Sequence, residues 1–259
     1  NDWGQDAVEE YLNEGNDALN FSNTTRSVIA TIKSIEVVEG SNSVYHEAKQ
    51  VIEVTPGVFE TVQVGGIEIE TLIGGSAIDT LIGPDQDNTW SITGQNSGQL
   101  NSGLIFSSIE SLTGRTGKDD FVFGTQGDLA GQIDGGQGVN TLDYSAWTAP
   151  ATVHLENERA SGTDGVVNVR DLIGGSGSDH LTGDGQNNTF TANHGDDQLF
   201  GRGGSDRFNW DAGDGDDQID GGGGAQDLLI ITATNNIDAA AFDNLPGDVF
   251  QFQLAGDSL

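Results

Sequence analysis

The sequence predicts an all-β fold, a parallel β-solenoid in which short strands alternate with turns rich in Gly and Asp. Three observations predict it. The 259 residues include 39 Gly and no Cys or Met, and 28 Asp stand against 13 Glu, with 17 Asp after the last Glu, Glu158. From Gly174 the chain falls into nine-residue lines with one acidic and one apolar column. Elsewhere short β-prone runs punctuated by Gly, Asn and Asp take the place of helical periodicity.

Residues 1–93 read as a first solenoid segment, with strands in VIATI (28–32), VFETVQV (58–64) and GIEIETLI (66–73). DAVEEYL (6–12) has the look of a helical turn, but its alignment with later repeats makes it the exit of a metal-binding loop. Residues 94–134 read as connecting β coils, through GLIF (103–106) and DDFVFG (119–124). Residues 135–231 form a second segment, through ATVHL (151–155), VVNV (166–169) and the nine-residue lines of 174–230. Residues 232–259 form a capping or linking tail, with a short helix in NIDAAAFDN (236–244) and a strand in VFQFQLAG (249–256).

A longer repeat lies beneath the short one. Ile69–Asp79 aligns with Val169–Asp179 at an offset of 100, and DNTW (87–90) with NNTF (187–190) at the same offset. Ile109–Asp119 is a third copy, 40 residues after the first. GNDALNFS (15–22) matches GVNTLDYS (138–145) at offset 123, so the first copy carries about 23 extra residues. The Glu-rich stretch 36–63, with Tyr45 and His46, is the place for them, as a protruding hairpin or loop. WGQDAV (3–8) and EGNDAL (14–19) recur near 213–219 and 224–229, at offsets of 211 and 210. This predicts one cassette of a longer array.

The lines themselves are GGSGSDHLT, GDGQNNTFT, ANHGDDQLF and GRGGSDRFN, then AGDGDDQID after a two-residue slip and GGGAQDLLI after one more. The sixth column holds Asp179, Asn188, Asp197, Asp206, Asp217 and Asp227; the eighth holds Leu181, Phe190, Leu199, Phe208, Ile219 and Leu229. One apolar residue per line is too few for an amphipathic helix. It suits a short strand that puts one side chain into a narrow core. Asp alone would serve turns, by bonding its own backbone two residues on. A fixed sixth column asks for more, since Ca2+ takes six to eight hard oxygen ligands from carboxylates and carbonyls.

The lines resemble the nonapeptide G-G-x-G-x-D-x-(apolar)-x of RTX proteins. The resemblance implies a right-handed parallel β-roll with several Ca2+ held between stacked turns. One coil would use two lines, pairing Asp179 with Asp197 and Asn188 with Asp206 about 18 residues apart. The implied metal residues are Gly174, Ser176, Gly177 and Asp179; Gly183, Gly185 and Asn188; His194 and Asp197; Gly201, Gly203 and Asp206; Asp214 and Asp217; Gly222 and Asp227. Asn188 departs from the motif, and Gln226 beside Asp227 leaves the last register open. Asp6, Asp17, Asp79 and Asp119, with Asn140, stand in more isolated loops of the same kind. The family further implies type I export as an unfolded chain and folding in external calcium. Its large members are bacterial surface proteins and adhesins.

Charge and motif content narrow the function. Nine Lys+Arg against 41 Asp+Glu give a formal charge of −32, which argues against nucleic acid and anionic membranes. The absence of Cys excludes disulfides and thiolate metal sites. No apolar run reaches the roughly 18–20 residues of a membrane span. No signal peptide opens the chain, which predicts a mature piece, a fragment, or export without one. Neither H-E-x-x-H nor G-x-S-x-G occurs, and His46, His154, His180 and His194 are scattered. Asp119 and Asp120 alternate across a strand rather than forming a glycosidase pair. The Thr do not file into an ice-binding ladder, and Gly221–Gly224 lack the Lys and helix of a phosphate loop. Trp90 falls in the apolar column, opposite Phe190, as a core residue. The expectation is a non-catalytic, calcium-dependent structural or adhesive module of a secreted bacterial surface protein. Its expected partners are calcium, copies of itself or neighbouring cassettes, and a surface glycan. The alternative is the β-helix region of a secreted polysaccharide lyase or epimerase.

Overall fold

The computed structural model describes residues 71–224 and 226–233, residue 22, and strand segments at 8–9, 18–20, 28–38, 47–56, 62–64 and 249–254. The protein is all-β with parallel sheets, consistent with a β-roll; among the described residues a single 3-10 turn, Leu155–Asn157, is helical. Three residues is the commonest strand length, and eight such strands bury only the middle residue, as in Thr71–Ile73, Asp171–Ile173 and Thr189–Thr191. One inward side chain per strand is what the eighth column of the lines demands.

Three large sheets carry these strands, beside a two-stranded pairing of Gly203–Gly204 with Gly223–Gly224. A 13-stranded sheet runs from Val8–Glu9 to Val249–Leu254. Along it Trp90, Phe121, Leu142, Leu172, Phe190, Phe208 and Leu229 lie in unbroken register. All seven are buried. Trp90 stacks on Phe121 at 5.7 Å between ring centroids, and Phe190 on Phe208 at 4.9 Å, near the separations aromatic pairs favour. A seven-stranded sheet puts Leu81, Leu112, Ile133 and Val166 in a second file. A five-stranded sheet continues with Val153, Leu181, Leu199 and Ile219. These files meet in one apolar core.

Not every pairing in these sheets is parallel. Ser97–Leu100 runs antiparallel between Asn88–Gly94 and Leu104–Ser107, inside the largest sheet. Asn96, Asn101 and Ser102, at φ 50°, 51° and 57°, make the two reversals. Asn tolerates the left-handed region better than other side chains, and so marks tight hairpins. Val28–Val38 and Glu47–Pro56 also pair antiparallel, as do Thr152–His154 and Arg159–Ala160. The copy at 109–119 enters the other side of the fold. Its strand Ser111–Thr113 joins the seven-stranded sheet, whereas Thr71–Ile73 and Asp171–Ile173 of its sister copies belong to the 13-stranded one. The expected helix at 236–244 lies outside the described residues, as do Asp6 and Asp17.

Candidate metal centres

Each nine-residue line makes a turn and then a strand, and the sixth-column residue sits where the turn re-enters the sheet. Its side chain is buried: Asp79, Asp119, Asp179, Asn188, Asp197, Asp206 and Asp227 are all at most 4 % exposed. Burying a carboxylate costs free energy unless it is paired or hydrogen-bonded. In Asp179, Asp197, Asp206, Asp217 and Asp227 one oxygen meets the backbone of an earlier pass, whereas Asp119 Oδ1 accepts from the side chains of Asn88 and Trp90. The Asp197 carboxylate accepts from the Asp179 N–H at 2.6 Å, and Asp217 from Asp197 at 2.9 Å. Asp179 in turn accepts from Ala151 at 2.7 Å. A second file repeats this, with Asp206 accepting from Asn188 and Asp227 from Asp206, both at 2.8 Å. The 18-residue pairing of Asp179 with Asp197 and of Asn188 with Asp206 thus appears as backbone-to-side-chain bonds.

The second oxygen separates the members. In Asp79 and Asp179 Oδ2 accepts from the amide four residues earlier, Gly75 or Gly175. In Asp119, Asp197, Asp206 and Asp217 Oδ2 is buried and has no partner. An orphaned buried acceptor costs about 1–3 kcal/mol, more if charged. The Asn members avoid that cost. Asn188 Nδ2 donates to the Arg170 carbonyl at 3.1 Å, and Asn140 Nδ2 to the Asn168 carbonyl at 2.8 Å. Asn88, which the repeat pattern did not single out, donates to Asp119 Oδ1 at 2.7 Å.

Glycine makes room for these carboxylates. A Cβ added to Gly114, Gly174 or Gly201 would collide with Oδ2 of Asp119, Asp179 or Asp206, five residues on; one on Gly183 would strike Asn188 Oδ1. The last line departs from its expected register. Gly221, not Gly222, lies beneath Asp227, while Gly222 packs on the Arg202 backbone. One residue more than usual separates cradle and carboxylate there, which explains why Gln226 blurred the alignment. Gly195 and Gly215, both at φ 141°, stack so closely that a Cβ on Gly215 would enter the Gly195 carbonyl.

Electrostatics follow burial. Desolvation pushes the Asp197 carboxyl up to about 7, with Asp217, Asp179 and Asp214 adding repulsion. Burial likewise raises Asp119 and Asp206 to about 6, and raises Asp179, Asp214 and Asp217. The donor chemistry fits a hard cation: unpartnered carboxylate oxygens with glycine-lined space beside them. No three His, Asp or Glu side chains converge among the described residues, so a coordination shell would draw on backbone carbonyls, amide side chains or water as well.

The remaining expected residues are peripheral to these buried files. Ser176 and Gly185 are exposed, Gly177 packs on the Ala149–Pro150 backbone, and Gly203 pairs with Gly223. The His194 side chain is 74 % exposed, 3.6 Å from Asp214. Other Asp do form the local turns that Asp favours. Asp134, Asp143, Asp184 and Asp220 each accept from the amide two residues on. Glu110, absent from the sequence argument, receives the Asp79 amide at 2.8 Å and so substitutes for a column carboxylate.

Comparison with known families agrees with this geometry. Residues 64–89 and 173–208 match the RTX calcium-binding nonapeptide repeat (4 copies). The chain is an RTX-type calcium-binding repeat protein over these residues, and its repeats bind Ca2+, several ions across the repeats. RTX repeats are typically structural rather than catalytic, and the proteins bearing them are typically exported by type I secretion. The match ends at 208, while the hydrogen-bonded files run on to Asp217 and Asp227. No curated protein matches the chain.

Proposed function

We propose that the chain is a calcium-dependent structural and adhesive module of a secreted bacterial cell-surface or extracellular-matrix protein. It folds on Ca2+ as a right-handed parallel β-solenoid and stacks on neighbouring copies or cassettes. The observation that carries this reading is the set of buried, unpartnered Oδ2 atoms of Asp119, Asp197, Asp206 and Asp217. Bound Ca2+ supplies the positive charge and the coordination partner those oxygens lack. Asp179, Asn188 and Asp227 complete the same two files with their side-chain oxygens, and Asp214 stands beside Asp217. Without that charge, Asp196, Asp197, Asp214, Asp216, Asp217 and Asp220 crowd a chain of net charge −32, and repulsion opposes compaction. A metal that binds only the folded form converts its binding energy into folding energy.

Stacking is supported by the largest sheet, whose terminal strands are Val8–Glu9 and Val249–Leu254. Uncovered strand edges pair readily with further strands. Circular dichroism and light-scattering mass, measured in EGTA and in millimolar Ca2+, test the proposal. The expected result is an expanded, largely unstructured chain in EGTA and a compact or assembled β protein in Ca2+. Full β structure in EGTA, unchanged by calcium, would overturn it.

A further inference from the structure

The outward face of the five-stranded sheet holds a cluster that calcium binding does not use. Cross-strand register aligns Arg159, His154, Thr182, Phe200 and Asp220 in one row, with the acid at its far end. A second row holds Thr152, His180, Gln198 and Gln218. The His154 and His180 rings lie 5.0 Å apart, and His180 lies 5.3 Å from Phe200. Gln198 bonds the His180 ring at 2.9 Å. Arg202 stands two residues past Phe200, at the end of its strand; burial first, then the nearby His180, Arg202 and Arg159, lower His154.

Two observations point to a ligand. Among the described basic residues Arg115 pairs with Asp85, Lys118 with Asp120, Arg170 with Gln186 and Arg207 with Asn209. Arg159 and Arg202 are both exposed, and neither guanidinium has a hydrogen-bond or ion-pair partner among the described residues. Among the described residues these are the two arginines whose side chains lack a partner, and both flank the same histidines. Independently, Thr182, which the register places between His154 and Phe200, is 2 % exposed with an unpartnered Oγ1.

We infer that this face binds an acidic polysaccharide, a carboxylate-bearing sugar chain laid across the strands. The inference deepens the adhesive part of the proposed function. Adjacent strands stand about 4.8 Å apart, close to the length of one sugar unit, so successive sugars meet successive strands. The half-buried His154, His180 and Phe200 rings offer apolar contact, and the imidazoles add polar nitrogens. Gln198 and Thr152 suit hydroxyls, and Arg159 and Arg202 suit carboxylates, which arginine can engage with two parallel bonds. Two arginines match carboxylates spaced at least one sugar unit apart; a phosphate polyanion asks for clustered Lys and Arg.

The test is calorimetric titration of the intact, calcium-loaded chain with hexagalacturonate at fixed free Ca2+, beside neutral maltohexaose and short polyphosphate. Saturable binding of hexagalacturonate alone is expected, weakened at least tenfold in R159E/R202E and in H180A. Amide shifts in the wild-type protein should map to 152–161, 180–182 and 198–202, which keeps the test decisive if a variant fails to fold. Absence of binding, equal binding of maltohexaose or polyphosphate, or shifts elsewhere would overturn the inference. Circular dichroism of the same samples in EGTA and Ca2+ reports the calcium-folding step separately, so failure of that reading is distinguishable.

Discussion

Replacing Asp197 by Asn should make the calcium-free protein more stable, not less. Asp197 is 1 % exposed, one carboxylate oxygen accepts from the Asp179 amide, and the other has no partner. Burial lifts its carboxyl from an ordinary 3.8 to about 7. The folded state therefore holds this proton more tightly than the unfolded state does. The sign follows: the penalty is absent below about pH 4, grows as pH rises towards 7, and is fully present above. At about 1.4 kcal/mol per pH unit, ionised Asp197 costs the metal-free fold about 4 kcal/mol. An amide keeps the Oδ1 acceptor and removes the charge, as Asn188 does in the neighbouring file. A gain of about 2–4 kcal/mol is expected at pH 7.5, the lower figure allowing for an amide group that must find its own acceptor. In EGTA, D197N should show a larger folded fraction by circular dichroism and a higher urea midpoint wherever a transition is measurable. Its calcium midpoint should rise, because one ligand charge is gone. A D197N protein less folded than wild type in EGTA, or with an unchanged calcium midpoint, would refute the reasoning.

Acidification from pH 7.5 to 5 should raise the calcium concentration needed for folding, because Asp119, Asp197 and Asp206 bind protons in that interval; calcium titrations at the two pH values check it. Gly201→Ala should weaken calcium-dependent folding because its Cβ would strike Asp206 Oδ2, whereas Gly185→Ala, with open space around it, should shift the calcium midpoint little. Phe208→Ala, which removes one ring of the Phe190 stack, should cost about 3–5 kcal/mol in urea unfolding of the calcium-loaded protein.

What the sequence disclosed, and what it hid, follow from which contacts recur. The inward residue of each strand and the sixth-column acid repeat because every pass must fill the same narrow core and the same turn. Leu181, Phe190, Leu199 and Phe208 could therefore be assigned from spacing. The antiparallel strand Ser97–Leu100 escaped because its reversals rest on Asn96, Asn101 and Ser102, whose left-handed backbone has no periodic signature. Glu110 escaped because it reaches the Asp79 amide from another pass, outside the column. The outer cluster of His154, Arg159, His180 and Arg202 was invisible as a unit. Outward positions are not constrained by packing, and only register brings them together.

The two carboxylate files have a direction. Ala151 waits for Asp179, Asp179 for Asp197, and Asp197 for Asp217; Asn188 waits for Asp206, and Asp206 for Asp227. Every buried amide in this series is completed by residues nearer the C-terminus. Each bond needs both passes, so neither partner is complete until its neighbour is in place, whichever end folds first. A file interrupted at any pass therefore ends in a bare buried amide on one side and a bare carboxylate on the other.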